Sequence, residues 1–133
     1  MAAVVTKYGF QETAKLMTAI DSPTAWQYLA LGTGSATENT DVSKLATEVT
    51  DSGMARVVGA SITIASSVTQ YDTAKYEHTW TATASKSIKE TGVFNTSVAN
   101  QGDLLCYATF ANAIDMQSDD TLKVTWSVQV KAG

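Results

Sequence analysis

Between residues 121 and 131 apolar and polar side chains alternate without a break. Leu122, Val124, Trp126, Val128 and Val130 fall on one side, Lys123, Thr125, Ser127 and Gln129 on the other. A period of two fits a pleated strand with one buried face, and a one-residue slip would expose all five apolar groups. The same signal recurs upstream. In residues 76–84, Tyr76, His78, Trp80, Ala82 and Ala84 oppose Glu77, Thr79, Thr81 and Thr83; in residues 55–66, Val58, Ala60, Ile62 and Ile64 oppose Val57, Gly59, Ser61 and Thr63. Residues 104–111 are largely apolar on both faces, as for a central strand, and residues 87–95 form a shorter strand interrupted by Gly92. Residues 24–31 read as a strand with Trp26, Tyr28 and Ala30 on one face. Turn chemistry separates these runs: residues 32–35, Gln70-Tyr71-Asp72, Asn100-Gln101-Gly102-Asp103 and Ser118-Asp119-Asp120.

Six or seven such strands predict an all-β fold, an antiparallel β-sandwich of jelly-roll-like type, in one domain spanning residues 1–133. Composition agrees, with 20 Thr, 12 Val and 12 Ser against 7 Leu and 1 Pro. Two segments depart from the strand pattern. In residues 2–20, Phe10, Ala14 (with Thr13), Met17 and Ile20 recur at helical spacing, so residues 1–22 are expected to form an N-terminal helix or arm, stopped by Asp21-Ser22-Pro23. Residues 35–53 form a long surface excursion. Val42, Leu45, Ala46 and Val49 predict a short helix there, capped by Asp41 and ended by Gly53.

The charge balance excludes one large class of function. Lys and Arg number 9 and Asp and Glu 13, a net charge of −4, and Arg56 is the single arginine. A nucleic-acid partner needs a basic face, so none is expected. No apolar run reaches the length of a membrane span, so no membrane partner is expected either. Residues 1–7 lack a basic region followed by a long apolar core, and one cysteine allows no intrachain disulfide; synthesis in a cytoplasm is the expectation.

Candidate chemistry is sparse. His78 is in phase with Tyr76 and Trp80, with no nucleophile or orienting acid in a local motif, and reads as a strand residue. Cys106, between Leu105 and Tyr107, reads as a buried thiol. Gly32-Thr33-Gly34 lacks the rest of a phosphate loop and reads as a tight turn. Asp115, Asp119 and Asp120 do not match a calcium-loop spacing, and Asn95-Thr96-Ser97 fits a glycosylation pattern without a secretory signal. Glu90 stands out, a carboxylate inside an apolar strand, and reads as a structural acid pinning a loop. No catalytic residue, cofactor or metal is assigned, and no enzyme activity is expected.

The run Trp26-Gln27-Tyr28-Leu29-Ala30-Leu31-Gly32-Thr33-Gly34 is followed by Leu45-x-x-Glu48, by Gly53-Met54-Ala55-Arg56 and by Thr79-Trp80-Thr81-Ala82. Then come Glu90-Thr91-Gly92-Val93-Phe94-Asn95, Leu104-Leu105-Cys106-Tyr107-Ala108 and Asp120-Thr121-Leu122-Lys123-Val124-Thr125-Trp126. In this order, over about residues 5–131, the chain resembles small virion proteins of tailed bacteriophages and is similar to capsid cement or decoration subunits. The resemblance implies a virion protein of the capsid surface, made in the host bacterial cytoplasm. Its implied partners are the major capsid protein and its own copies, as a homotrimer. Related sandwich domains occur in head and tail fibres, so the alternative is a fibre module binding a host-surface glycan through Trp26, Tyr71 and Tyr76. For the cement reading, segments in excess of ordinary connections are the candidate contacts: Val4, Val5 and Tyr8 in the arm, and Glu38, Asp41 and Glu48 in the excursion.

Overall fold

The computed structural model describes residues 2–21, 24–59, 61–65 and 73–130. In chain order they give β1 (Ala2–Val5), α1 (Lys7–Thr18), β2 (Tyr28–Gly32), β3 (Val57–Val58), β4 (Ser61–Ala65), β5 (Thr73–Thr81), β6 (Lys86–Phe94), β7 (Leu104–Met116) and β8 (Thr121–Gln129). The fold is an antiparallel β-sandwich with one N-terminal helix. Its sheets hold five strands, ordered β1-β7-β6-β2-β3, and three, ordered β4-β5-β8, where a jelly roll has four and four.

The main core lies between the sheets. Leu29, Leu31, Val93, Cys106 and Ala108 of the larger sheet meet Tyr76, Trp80, Val124 and Trp126 of the smaller one. On β8 the alternation holds, with Val124 and Trp126 buried and Leu122 and Val128 half-buried; Val130 lies past the strand end and is 78% exposed, outside the core. Trp26 is buried in the inter-sheet core from a position just before β2, while Tyr28 and Ala30 face the opposite side, so the expected shared face of these three does not exist.

A second core covers the outer face of the five-stranded sheet. Ala30, Phe94, Leu104 and Tyr107 are buried there beneath Val42 and Leu45 of the 35–53 segment. That segment is therefore a third layer rather than a surface excursion. The expected helix is absent. Its residues form turns, bends and one isolated bridge, Gly32 to Glu48, and the spacing marks side chains dropped into two cores, Val42 and Leu45 onto the outer face of the sheet and Val49 between the sheets.

The N-terminal segment also departs from expectation. Residues 2–5 pair with β7, from Ala2 opposite Thr109 to Val5 opposite Cys106, so the helix begins only at Lys7. Thr6 makes the switch. Fully buried, it donates its amide to Leu105 O at 3.0 Å and its hydroxyl to Leu104 O, and its Oγ1 accepts the Gly9 amide at 3.1 Å as the helix N-cap. Gly9 permits the close approach, since a Cβ there would stand 2.6 Å from Leu105 O. This anchor buries Gly9 and Glu12, so Phe10 (61%), Met17 (83%) and Ile20 (56%) face outward, the reverse of the expected core-facing stripe. The helix stops at Thr18 with Ala19 in the left-handed region, ahead of Ser22-Pro23, which lies outside the described residues.

Candidate functional site

The most constrained polar groups converge around residues 33–56. Glu90 is the first pin. A register shift between Ile88 and Glu90 changes the phase of β6, so Ile88 enters the inter-sheet core while Glu90 turns to the outer face. Fully buried, its Oε1 accepts the Thr47 amide at 2.9 Å, and its Oε2 accepts the Ala46 amide at 3.0 Å and the Tyr107 hydroxyl at 2.6 Å. Tyr107 in turn accepts the Ala36 amide at 2.8 Å. Burial, followed by its bond to Glu90, pushes the Tyr107 phenol well above its usual range, so it stays a donor. The expectation that Glu90 pins a loop agrees with this geometry. Gly32 belongs to the same device, since a Cβ there would collide with Glu90 Oε1. Its glycine makes room for a carboxylate.

Arg56 is the second pin. Its Nε and Nη2 donate to Glu48 Oε1 and Oε2 at 2.8 and 2.9 Å, with both side chains 1% exposed. Nη1 donates to Thr96 O at 3.0 Å and Gln101 O at 2.9 Å, and Cζ lies 3.7 Å from the Phe94 ring centroid. Glu48 Oε2 also accepts the Asn100 amide at 2.7 Å. One ion pair thus ties the excursion to the β6–β7 turn, where Asn100 and Gly102 have positive φ.

These pins correct several expected contacts. Glu48 is not an exposed docking charge, because a bidentate guanidinium consumes it. Glu38 Oε1 accepts the amide of Thr109 at 2.9 Å and its hydroxyl, bonds that hold the carboxyl below its ordinary range and direct it into the chain's own sheet. Asp41 is exposed and pairs with Lys7 at 2.9 Å, and the Lys7 amide donates to Thr40 O at 2.8 Å, joining the excursion to α1. Val4 and Val5 are half-buried in β1, and Tyr8 is half-buried beneath Lys7, whose Nζ lies 5.3 Å from its ring centroid. Neither segment hangs free. Sequence reasoning found Glu90 from its apolar surroundings but missed the Glu48–Arg56 pair, which an acid and the single arginine eight residues apart could have signalled.

The remaining candidates have structural surroundings. Trp26 and Tyr76, proposed as exposed sugar-stacking residues, are 8% and 6% exposed, a correction, and Tyr71 lies outside the described residues. Cys106 is buried, and burial pushes its thiol far above the range in which a thiolate forms. Asp120 accepts the Gln117 amide at 2.8 Å and Asp115 accepts the Ser87 hydroxyl at 2.7 Å, while Asp119 turns the chain with φ 74°. Among the described residues no group of three His, Cys, Asp or Glu side chains is placed to hold a metal.

His78 packs edge-on against Trp80 at 4.8 Å between centroids, and its buried Nδ1 has no hydrogen-bond partner among the described residues. Burial lowers its pKa from the ordinary 6.5. The unfolded chain therefore binds a proton at pH values where the folded chain resists it, and stability falls as pH drops below 6.5. We predict that His78→Gln flattens this part of the profile, measured as the difference in urea midpoint between pH 7 and pH 5.5. An equal difference in the variant would assign the slope to other groups.

Compared with known protein families and with curated proteins, the chain matches none.

Proposed function

We propose that this protein is a structural, non-enzymatic virion component of a tailed bacteriophage. In this reading it is a capsid cement or decoration subunit that binds the outer shell and stabilises contacts between major capsid subunits. The observation that carries the reading is α1. Its outward face shows Phe10 and Met17 on a helix held by Thr6 and Gly9, with exposed Ile20 just past its C-terminal end, while the buried acids and the arginine are spent on internal bonds. A rigid apolar patch without convergent chemistry suits docking rather than turnover. Many such contacts on one shell reinforce each other when subunits are linked, because the second contact becomes intramolecular. The sequence resemblance supplies the partner. The fibre reading loses support with the burial of Trp26 and Tyr76.

The structure also changes how the proposal is tested. Deleting residues 2–7 would remove β1 and the helix cap and so perturb folding itself. The test is the double substitution Phe10→Ser/Met17→Ser, both at exposed positions, added back to shells lacking the protein. Wild-type protein is expected to saturate the shells and raise their melting temperature, and the folded variant to lose occupancy by at least about tenfold, the loss of a few buried apolar groups. Equal occupancy by the variant would remove α1 as the docking face. Wild-type protein that leaves shells bare and their heat stability unchanged would overturn the cement reading.

A further inference from the structure

We infer that β8 is an interface between two copies of this chain, which pair antiparallel about Thr125 to join their three-stranded sheets into one of six strands. Four strands end the two sheets, with two residues in β3, four in β1, five in β4 and nine in β8. Short edges resist unwanted pairing; long straight ones invite it. Nothing blunts β8. Its pairing with β5 runs without a register shift from Thr73 opposite Gln129 to Thr81 opposite Thr121, it contains no proline, and its one charge is Lys123. Among the described residues its second edge has no partner strand.

The sandwich is also open beside this edge. A cavity of about 290 Å³ lies along Leu122, Val124 and Trp126, floored by Phe110 and Ile114 of β7. A second, of about 170 Å³, lies along Trp126 and Val128, floored by Val4 and Val5 of β1. Both are mainly apolar, and both sit where the next strand of the smaller sheet would place its inward side chains.

The occupant is identified by the sequence of β8. Antiparallel pairing about Thr125 sets Leu122 opposite Val128 and Val124 opposite Trp126, apolar against apolar on the inward face. On the outward face Lys123 meets Ser127 and Thr125 meets itself. The charges are compatible as well. This register keeps the two Lys123 side chains apart, whereas centring the pair on residue 123 would oppose them, which is unfavourable. Val128 of one copy then covers the cavity beside Leu122 of the other, and Leu122 covers the cavity beside Val128. A two-fold axis makes every contact occur twice. This pairing is independent of the virion proposal and differs from the three-fold assembly that the resemblance implies.

The test is the mass of the free protein in solution, by sedimentation across a concentration series. A reversible dimer is expected. Thr125→Lys, at an exposed position beside Glu77 of β5, places like charges opposite each other across the axis; it is expected to weaken the dimer by at least about tenfold while leaving the circular dichroism unchanged. Mixing the Thr125→Lys and Thr125→Glu variants is expected to restore a mixed dimer. Directly opposed residues have Cα atoms about 4.5–5.5 Å apart, within disulfide reach, so Thr125→Cys is expected to cross-link between chains faster than Thr79→Cys, which is exposed one strand from the edge. A monomer at all concentrations, a trimer, or a dimer indifferent to Thr125→Lys and no faster to cross-link at residue 125 than at 79 would overturn the proposal.

Discussion

Arg56→Met is expected to lower the unfolding free energy by about 3–5 kcal/mol, the cost of breaking a buried ion pair by removing one partner. The guanidinium satisfies both oxygens of Glu48 and two carbonyls, Thr96 O and Gln101 O. Without it the Glu48 carboxylate, its side chain 1% exposed, keeps only the Asn100 amide. Methionine fills much of the volume and retains contact with the Phe94 ring, so the loss reports the unpaired charge rather than a cavity. The double variant Arg56→Met/Glu48→Leu removes that charge and is expected to recover part of the loss. Denaturant midpoints of the three proteins check this. A cost for Arg56→Met within 1 kcal/mol would be the behaviour of an exposed surface pair and would contradict the burial.

How much of this was legible in the sequence depends on how far apart the interacting residues lie. The alternation in residues 76–84 and 121–131 places Trp80, Val124 and Trp126 correctly, because a strand's period is a local property. Residues 55–66 look like one strand by the same rule, yet Val57–Val58 pairs with β2 and Ser61–Ala65 with β5, in different sheets. Alternation does not show where a chain crosses between layers. The N-terminal helix is present but begins later than its spacing suggested, and the helix expected in residues 35–53 is absent, for a related reason. A spacing of three to four residues describes equally a helix face and a loop that buries Val42 and Leu45 on one side of a sheet and Val49 on the other. At the N-terminus four residues were captured by the free edge of β7, and the buried Thr6 then fixed where the helix begins. Partners 98 residues apart, as Thr6 and Leu104 are, leave no trace in a local window.

The residues that carry the resemblance have a physical role of their own. Gly32, Glu48, Arg56, Glu90 and Tyr107, from five separate runs, meet within the two pins that hold the third layer on the sheet. Such a set is legible as a pattern in order along the chain, but its reason is visible only in three dimensions. It also separates what builds the fold from what faces outward, since α1's exposed side chains lie outside the set.

The strongest test of the pinned layer is Glu90→Ala, with an expected cost of about 3–5 kcal/mol. The substitution leaves the Ala46 and Thr47 amides and the Tyr107 hydroxyl without an acceptor and opens a void beside Gly32. Glu90→Gln is expected to cost less, about 2–3 kcal/mol, since the amide oxygen can keep the Ala46 and Tyr107 bonds while its NH2 group faces the Thr47 amide, donor against donor. The location of the damage is as informative as its size. The carboxylate holds the Ala46 and Thr47 amides directly and Ala36 through the Tyr107 hydroxyl, so exchange of these three amides should accelerate more than the lost global stability requires, while β5 and β8 amides should track global stability. Uniform acceleration across both sheets would mean that the third layer unfolds only with the whole sandwich. No acceleration at Ala46 and Thr47 would mean that Val42 and Leu45, held by apolar burial alone, suffice to keep the layer in place.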